Sequence, residues 1–271
     1  MEFYGLLGEK LSHSMSPEIH NEILKLMNKS GGYKLFEVNR DKLKDFAEAL
    51  KILKIKGCNV TIPYKKDILK YVDFISDEAK KIGAINTISL NKGKLYGYNT
   101  DYFGFGYMLK INNIEINDKI AVILGNGGAS RAVLQYLIDN NAKEVYIVSR
   151  NPKKDDFLLE NVKLISYEEL KSLKGDLLIN STPVGMYPNI GESPVDKGVI
   201  NNFDVLVDLI YNPMETKFLS YGKELNKRNI GGLYMLIGQA AKSQEIWQDT
   251  AVNESIIEEI YNKISKNFIW F

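Results

Sequence analysis

Hydrophobic positions along the chain follow two periods in turn. After Pro17, Ile19, Ile23, Leu26 and Met27 fall on one helical face, and the Gly31-Gly32 pair is expected to end that helix. Residues 33–38 then read as an extended run. Leu43, Phe46, Ala47 and Leu50 mark the apolar side of a second helix, and 58–62 reads as a strand. Residues 85–90 and 94–98 flank Asn91-Lys92-Gly93, a turn composition that predicts a hairpin. At Lys119 a new βαβ series starts: strand 120–124, helix 129–140 and strand 144–148, with later strands at 177–180 and 205–209. Helical periodicity over 234–247 and 253–264 closes the chain. The pattern is that of an α/β protein.

A length of 271 residues favours two domains, and 45% hydrophobic with 25% charged residues is an ordinary globular composition. Thirty-five Lys and Arg against 34 Asp and Glu leave no whole-molecule field to hold nucleic acid or an anionic membrane. An anionic ligand therefore needs a local site. Met1-Glu2-Phe3-Tyr4-Gly5 is not a basic segment leading into an apolar run, and no eighteen apolar residues are consecutive, so a cytoplasmic protein is expected. The single cysteine, Cys58, cannot form an internal disulfide and reads as a small core residue. His13 and His20 give no zinc-ligand spacing, and no metal is expected.

The chemistry begins at Gly125-Asn126-Gly127-Gly128-Ala129, which follows an apolar strand and opens a helix. Glycines there let a pyrophosphate approach backbone N–H groups where the helix dipole favours negative charge. Ser130 stands where the usual fingerprint has a third glycine or an alanine. The second strand runs into Ser149-Arg150-Asn151, with Lys153 and Lys154 close behind and no acidic partner for a free ribose 2′-hydroxyl. Arg150 offers a planar fork to a 2′-phosphate, which favours NADP over NAD. An ordinary strand-to-helix turn and a solvated arginine are the alternatives. Near the start, Ser16 reads as a helix N-cap with Pro17 at the first helical position. If that run is extended, Ser14 and Ser16 also present two hydroxyls on one side to a carboxylate.

The remaining polar landmarks are Asn59-Val60-Thr61-Ile62-Pro63-Tyr64-Lys65, Gly83-Ala84-Ile85-Asn86-Thr87 and Gly97-Tyr98-Asn99-Thr100-Asp101. The Gly125 turn follows, then Asn180-Ser181-Thr182-Pro183-Val184-Gly185-Met186, Asp208-Leu209-Ile210-Tyr211-Asn212-Pro213, and the run from Gly232 through Gln239 to Ala240. In order and spacing these motifs resemble the shikimate dehydrogenase family over essentially the whole chain. The resemblance implies a two-domain α/β fold: a substrate domain over 1–101, a Rossmann-like NADP-binding domain over 102–232, and C-terminal helices over 233–271 returning to the first domain.

Position by position, it implies Lys65 and Asp101 as the catalytic pair and Ser14 and Ser16 as carboxylate anchors. Thr61, Asn86, Asp101 and Gln239 would hold ring hydroxyls, with Tyr211 near the substrate. Gly125, Asn126, Gly127, Gly128, Ala129, Ser149, Arg150, Asn151, Thr182 and Gly232 would contact NADP(H). Without the resemblance nothing selects Lys65 among the lysines, and Asp101 reads equally well as an N-cap for the segment from Tyr102. Ser181 stands where many members have alanine and Ser149 where many have asparagine. The apolar end, Phe268-Ile269-Trp270-Phe271, is expected to pack on the body or contribute to a subunit contact.

The implied reaction is NADPH-dependent, reversible reduction of 3-dehydroshikimate to shikimate, in aromatic amino acid biosynthesis. Hydride delivery to a ketone leaves an alkoxide that needs a proton, and Lys65 and Asp101 both remain candidates for moving it. A quinate or dual quinate/shikimate dehydrogenase and a metabolite or nucleotide sensor without turnover stay open. The partners implied are small molecules, on a monomer or homodimer, with neither nucleic acid nor membrane.

Overall fold

In the computed structural model, which describes residues 1–11, 14–152 and 160–267, the chain divides into two units. Met1–Gly104 and Ile237–Lys263 form the first; Phe105–Leu236 and the stretch beginning at Ile264 form the second. His13, Lys153, Lys154 and the apolar end Phe268-Phe271 lie outside the described residues.

The first unit is built on β1 (Glu2–Gly8), α1 (Ser16–Leu26), β2 (Gly31–Glu37), α2 (Leu43–Ile52) and β3 (Gly57–Val60). It continues through β4 (Phe74–Ile75), α3 (Asp77–Ile82), β5 (Thr87–Asn91), β6 (Lys94–Tyr98) and the start of α4 (Thr100–Ile111). Its six strands lie in the order β2-β1-β3-β5-β6-β4. β1 pairs parallel with β2 and β3, and β5 pairs antiparallel with β3 and β6. The β5–β6 hairpin turns through Lys92 and Gly93, both at positive φ (48° and 74°), as a two-residue turn matched to strand twist requires. The expected end of α1 is corrected. The helix stops at Leu26, with Asn28 at φ 54°, and Gly31-Gly32 instead opens β2. A Cβ on Gly31 would lie 2.9 Å from the Glu2 carbonyl oxygen, so close pairing with β1 accounts for that glycine.

The second unit carries β7 (Ile120–Leu124), α5 (Gly128–Asp139), β8 (Glu144–Val148), β9 (Val162–Ile165), α6 (Tyr167–Leu170) and β10 (Gly175–Asn180). α7 (Lys197–Ile200), β11 (Phe203–Asp208), α8 (Lys217–Glu224) and β12 (Arg228–Ile230) complete its crossovers. All pairings in the order β12-β11-β10-β7-β8-β9 are parallel. Strand order reverses between β7 and β10, the switch point where such sheets bind ligands at the carboxyl ends of their strands. Ala121, Ile123, Val145 and Ile147 face one apolar layer with Val133 and Leu137 of α5. Val122, Leu124 and Val148 face the other with Phe203 and Phe218.

The last helices are α9 (Leu233–Gln248) and α10 (Glu254–Asn267). The division between units falls inside α4, α9 and α10. Past Ile237, α9 is anchored in the first unit by Trp247, whose indole N–H donates to the Ile88 carbonyl at 2.9 Å and whose ring stacks on Tyr4 at 5.0 Å. Gly57 is the complement of that ring: a Cβ there would sit 2.1 Å from the indole nitrogen. Among the described residues no helix is long and apolar enough to cross a membrane.

Candidate active site

In the first unit, β3 delivers Thr61, whose N–H donates to the Leu7 carbonyl, and the following turn carries Lys65. The Lys65 carbonyl accepts from the Ile85 N–H at 2.9 Å, which fixes the turn beside the segment that bears Asn86. Lys65 Nζ donates to Asp101 Oδ2 at 2.5 Å, with both side chains mostly buried (18% and 12% exposed). Asn86 Nδ2 donates to the other carboxylate oxygen at 2.8 Å. The N-cap reading of Asp101 is therefore corrected: α4 begins at Thr100, and the carboxylate is engaged by Lys65 and Asn86. Asn86 Oδ1 accepts from the Thr100 N–H at 2.6 Å and from the hydroxyls of Thr87 and Thr100 at 3.1 Å each. Gln239 enters from α9, its Oε1 at 3.4 Å from the Thr100 hydroxyl. Lys65, Asn86, Asp101 and Gln239 thus belong to one local network.

Ser14 and Ser16 sit beside one another, but not as the extended pair the sequence suggests. Met15 is helical (φ −81°, ψ −6°), Ser16 is already in the helix, and no side chain caps α1. Instead Ser14 Oγ accepts from the Ser16 N–H at 3.2 Å, a local turn that competes with extended backbone. Burial pushes the Tyr33 phenol well above its ordinary value, opposed by the neighbouring Ser16 side chain.

In the second unit the Gly125 turn joins β7 to α5. Gly125 has φ +97°, a conformation favouring glycine, and a Cβ there would lie 2.9 Å from Thr182 Cγ2. A Cβ on Gly127 or Gly128 would meet open space, and no side chain caps α5. Asn126 Oδ1 is buried without a hydrogen-bond partner among the described residues. Ser130 Oγ donates to the Gly127 carbonyl at 2.7 Å, so the departure from glycine or alanine ties the turn to its own helix. Ser149 N–H donates to the Ile165 carbonyl at 3.0 Å, and its hydroxyl accepts from Asn151 N–H at 3.3 Å. Arg150 is exposed between them, and its charge lowers the Tyr167 phenol while burial raises it more. The Ser181 hydroxyl donates to the Leu124 carbonyl at 2.7 Å, a link between β10 and β7 that alanine lacks.

Two residues within the quoted motifs, Asn180 and Asp208, have structural roles that were not assigned from sequence. Asp208 is fully buried and accepts from Thr216 Oγ1 at 2.6 Å and from the Ile210 N–H and Asn180 Nδ2 at 3.0 Å each. Asn180 Oδ1 in turn accepts from the Thr182 N–H and hydroxyl at 3.0 and 2.7 Å. One carboxyl thus ties the Thr182 loop to the segment leading to Tyr211. Burial pushes that carboxyl up to about 6 despite its three donors. Tyr211 lies in this second unit and is partly buried. Gly232 accepts no side chain, since a Cβ would lie 2.2 Å from the Leu209 carbonyl oxygen.

A doubly wound parallel sheet with a glycine turn at its switch point defines a dinucleotide-binding unit; beside it in the chain stands an α/β unit carrying a buried Lys–Asp pair. The model of the shikimate dehydrogenase substrate binding domain matches residues 6–88, and that of shikimate / quinate 5-dehydrogenase matches 108–209. A shikimate dehydrogenase (NADP(+)) of Clostridium beijerinckii is 54% identical, covering 99% of this chain and 100% of the relative. The crystal structure of shikimate dehydrogenase 1 from Peptoclostridium difficile is 55% identical with a TM-score of 0.90, covering 99% of both chains. A Thermus thermophilus shikimate 5-dehydrogenase, solved in complex with NADP(H) and shikimate, is 30% identical with a TM-score of 0.87 over 97% of this chain and 99% of that one. The chain belongs to the shikimate dehydrogenase family.

Proposed function

We propose that this chain catalyses the reversible, NADPH-dependent reduction of 3-dehydroshikimate to shikimate, with Lys65 and Asp101 as its catalytic pair. The observation that carries the reading is the Lys65–Asp101–Asn86 network in a chain whose close relatives bear the name shikimate dehydrogenase (NADP(+)). The family name also embraces quinate enzymes, but these relatives favour shikimate.

The glycine turn fits a dinucleotide. Open space over Gly127 and Gly128, uncapped N–H groups at the start of α5 and the unpartnered Asn126 Oδ1 together make a cradle of donors with an acceptor beside it. Gly125, Asn126, Gly127, Gly128 and Ala129 would hold the pyrophosphate, with Thr182 packed against Gly125. Arg150, flanked by Ser149 and Asn151, would pair with the 2′-phosphate, and Gly232 would line the cofactor site by its backbone. NADP(H), when bound, supplies or takes the hydride at its nicotinamide.

The side chains of the first unit supply the rest. The Lys65 ammonium donates its proton to the ketone oxygen as the C–H bond forms, giving the hydroxyl, and in the reverse direction it accepts that proton. Asp101, whose two oxygens accept from Lys65 and Asn86, orients the ammonium and is free to accept a ring hydroxyl through its remaining lone pairs. Ser14 and Ser16 offer hydroxyls to the substrate carboxylate, and Thr61, Asn86 and Gln239 hold ring hydroxyls; the family resemblance adds Tyr211 to the residues near the substrate. With this reading go a cytoplasmic location and a monomer or homodimer, which gel filtration distinguishes. The test of function is a steady-state assay of shikimate and quinate with NADP+ and NAD+. Turnover of shikimate with NADP+ should exceed the other three pairs; preferred turnover of quinate, or none with any pair, would overturn the proposal.

A further inference from the structure

Behind the Lys65–Asp101 pair lies a group of buried, uncharged polar side chains with no assigned role in the reaction. Asn59 is 5% exposed; Thr87, Thr100 and Ser243 are fully buried. Their hydrogen bonds have a direction, because each hydroxyl has one proton to give and each carboxamide has distinct donor and acceptor ends. Tyr33 OH donates to Asn59 Oδ1 at 2.8 Å, which fixes the Asn59 amide with its nitrogen facing the other way. That nitrogen donates to both Thr87 Oγ1 and Ser243 Oγ at 2.9 Å. Ser243, as an acceptor from Asn59, sends its proton to the Gln239 carbonyl at 2.9 Å. Thr87 Oγ1, which also lies 3.0 Å from the Thr100 and Ser243 hydroxyls, donates onward to Asn86 Oδ1 at 3.1 Å, and Asn86 Nδ2 donates to Asp101.

We propose that Asn59 and Thr87 are positioning residues: a one-way chain of donors, Tyr33 to Asn59 to Thr87 to Asn86, that presents Asp101 with a donor and holds it as an acceptor facing Lys65. The physical case rests on what a reversal would do. Turning the Asn86 carboxamide over would set its NH2 against the Thr100 N–H, now 2.6 Å from Oδ1, while an oxygen faced the Asp101 carboxylate. An N–H facing an NH2 and an amide oxygen facing a carboxylate both go unsatisfied, so the Asn86 carboxamide keeps one orientation and offers Thr87 an acceptor, while Tyr33 orients Asn59 at the other end. Ser243 is a second branch of the same junction: by accepting from Asn59 it directs its own proton to the backbone of Gln239, one of the groups proposed to hold substrate.

This rests on the reading of Lys65 and Asp101 as the catalytic pair, and its test separates the two. Thr87→Val keeps shape and removes the donor to Asn86; Thr87→Ser keeps the hydroxyl. Thr87→Val should lower kcat/KM for shikimate by about threefold to tenfold, the range of one net hydrogen bond, with the KM for NADPH unchanged. Thr87→Ser should restore most of that loss. In an Asn86→Ala background Thr87→Val should cost less than about twofold further, because the path it acts through is already gone. Tyr33→Phe, which deletes only the phenolic oxygen at the head of the chain, should show a loss of the same kind and carries the test if Thr87→Val does not fold. Equal losses for valine and serine, multiplication of the Thr87 and Asn86 effects, or a Tyr33→Phe enzyme with native kinetics would overturn the chain. Undiminished turnover in Lys65→Met would instead overturn the catalytic pair, and leaves the Thr87–Asn86 coupling to be judged by the same cycle.

Discussion

Two fully buried titratable groups, one in each unit, are of opposite kinds. In the first unit His20 is fully buried, stacked on Tyr33 at 4.2 Å, with Nδ1 at 3.0 Å from the Gln244 amide; burial pushes it down to about 3, so it is a neutral ring. In the second, Asp208 is fully buried among three donors and is pushed up to about 6. In the first unit the fully buried polar groups are uncharged, and the Lys65–Asp101 pair keeps a margin of exposure (18% and 12%). The second uses one carboxyl as a hub that ties the Thr182 loop to the segment leading to Tyr211. Chemistry that moves a proton needs a charged pair reachable by substrate, whereas a cofactor cradle needs loops fixed in place; each unit has buried polarity suited to its task.

Removing the charge at Lys65 tests this division most strongly. Lys65→Met keeps most of the side-chain length, so the fold should survive while turnover falls by about 10²–10⁴-fold, the range of a general acid. Unchanged kcat in a folded variant would remove Lys65 from the mechanism.

The contrast in buried groups predicts opposite responses to acid. His20 has its folded value depressed, so its contribution is complete above about 6.5 and is lost as pH falls toward 3, up to roughly 5 kcal/mol in all. Asp208 has its folded value raised, so its contribution is present below about 4 and is lost as pH rises toward 6, roughly 3 kcal/mol. Hydrogen-exchange protection, corrected for intrinsic rates, reads each unit separately. His20→Phe should flatten the acid loss of the first unit, and Asp208→Asn should flatten the decline of the second between pH 4 and 6. Slopes unaltered by both variants would show that neither group is the source.

At the nucleotide site, Arg150→Ala should weaken NADPH by roughly tenfold to a hundredfold, the value of a charge-assisted phosphate contact, and leave NADH nearly untouched. Equal effects on both cofactors would unseat Arg150. The smallest effect is expected at Ser16. With no cap bond to lose, Ser16→Ala should change stability by less than about 0.5 kcal/mol, well under the usual cost of losing a cap, while raising the KM for shikimate. A melting curve shifted as far as a lost cap requires would contradict the observed geometry.

Legibility in the sequence followed the kind of signal each element leaves. Strands β7, β8 and the hairpin were readable because apolar runs or alternation are bounded by glycine and polar turns. β1 was not, since Tyr4 to Gly8 are buried throughout and carry no alternation. Gly57 and Trp247, almost 200 residues apart, define one packing contact that no local pattern reveals. The glycine turn announced a phosphate site by local composition, whereas Lys65 was singled out only by family resemblance, because a buried ion pair with Asp101 is a tertiary fact. The direction of the Tyr33–Asn59–Thr87–Asn86 series was likewise invisible, for it depends on which end of each amide faces which hydroxyl. The cap reading of Ser16 failed because Met15 is itself helical and hands the cap position one residue back.

The separation of proton chemistry in one unit from cofactor recognition in the other is tested most directly by titrating NADPH into Lys65→Met and following binding at equilibrium. The dissociation constant should stay within about twofold of the native protein's while turnover is lost, since the groups proposed to hold the cofactor belong to the second unit. A rise of tenfold or more in that constant would contradict it, and would make Lys65 part of the cofactor site.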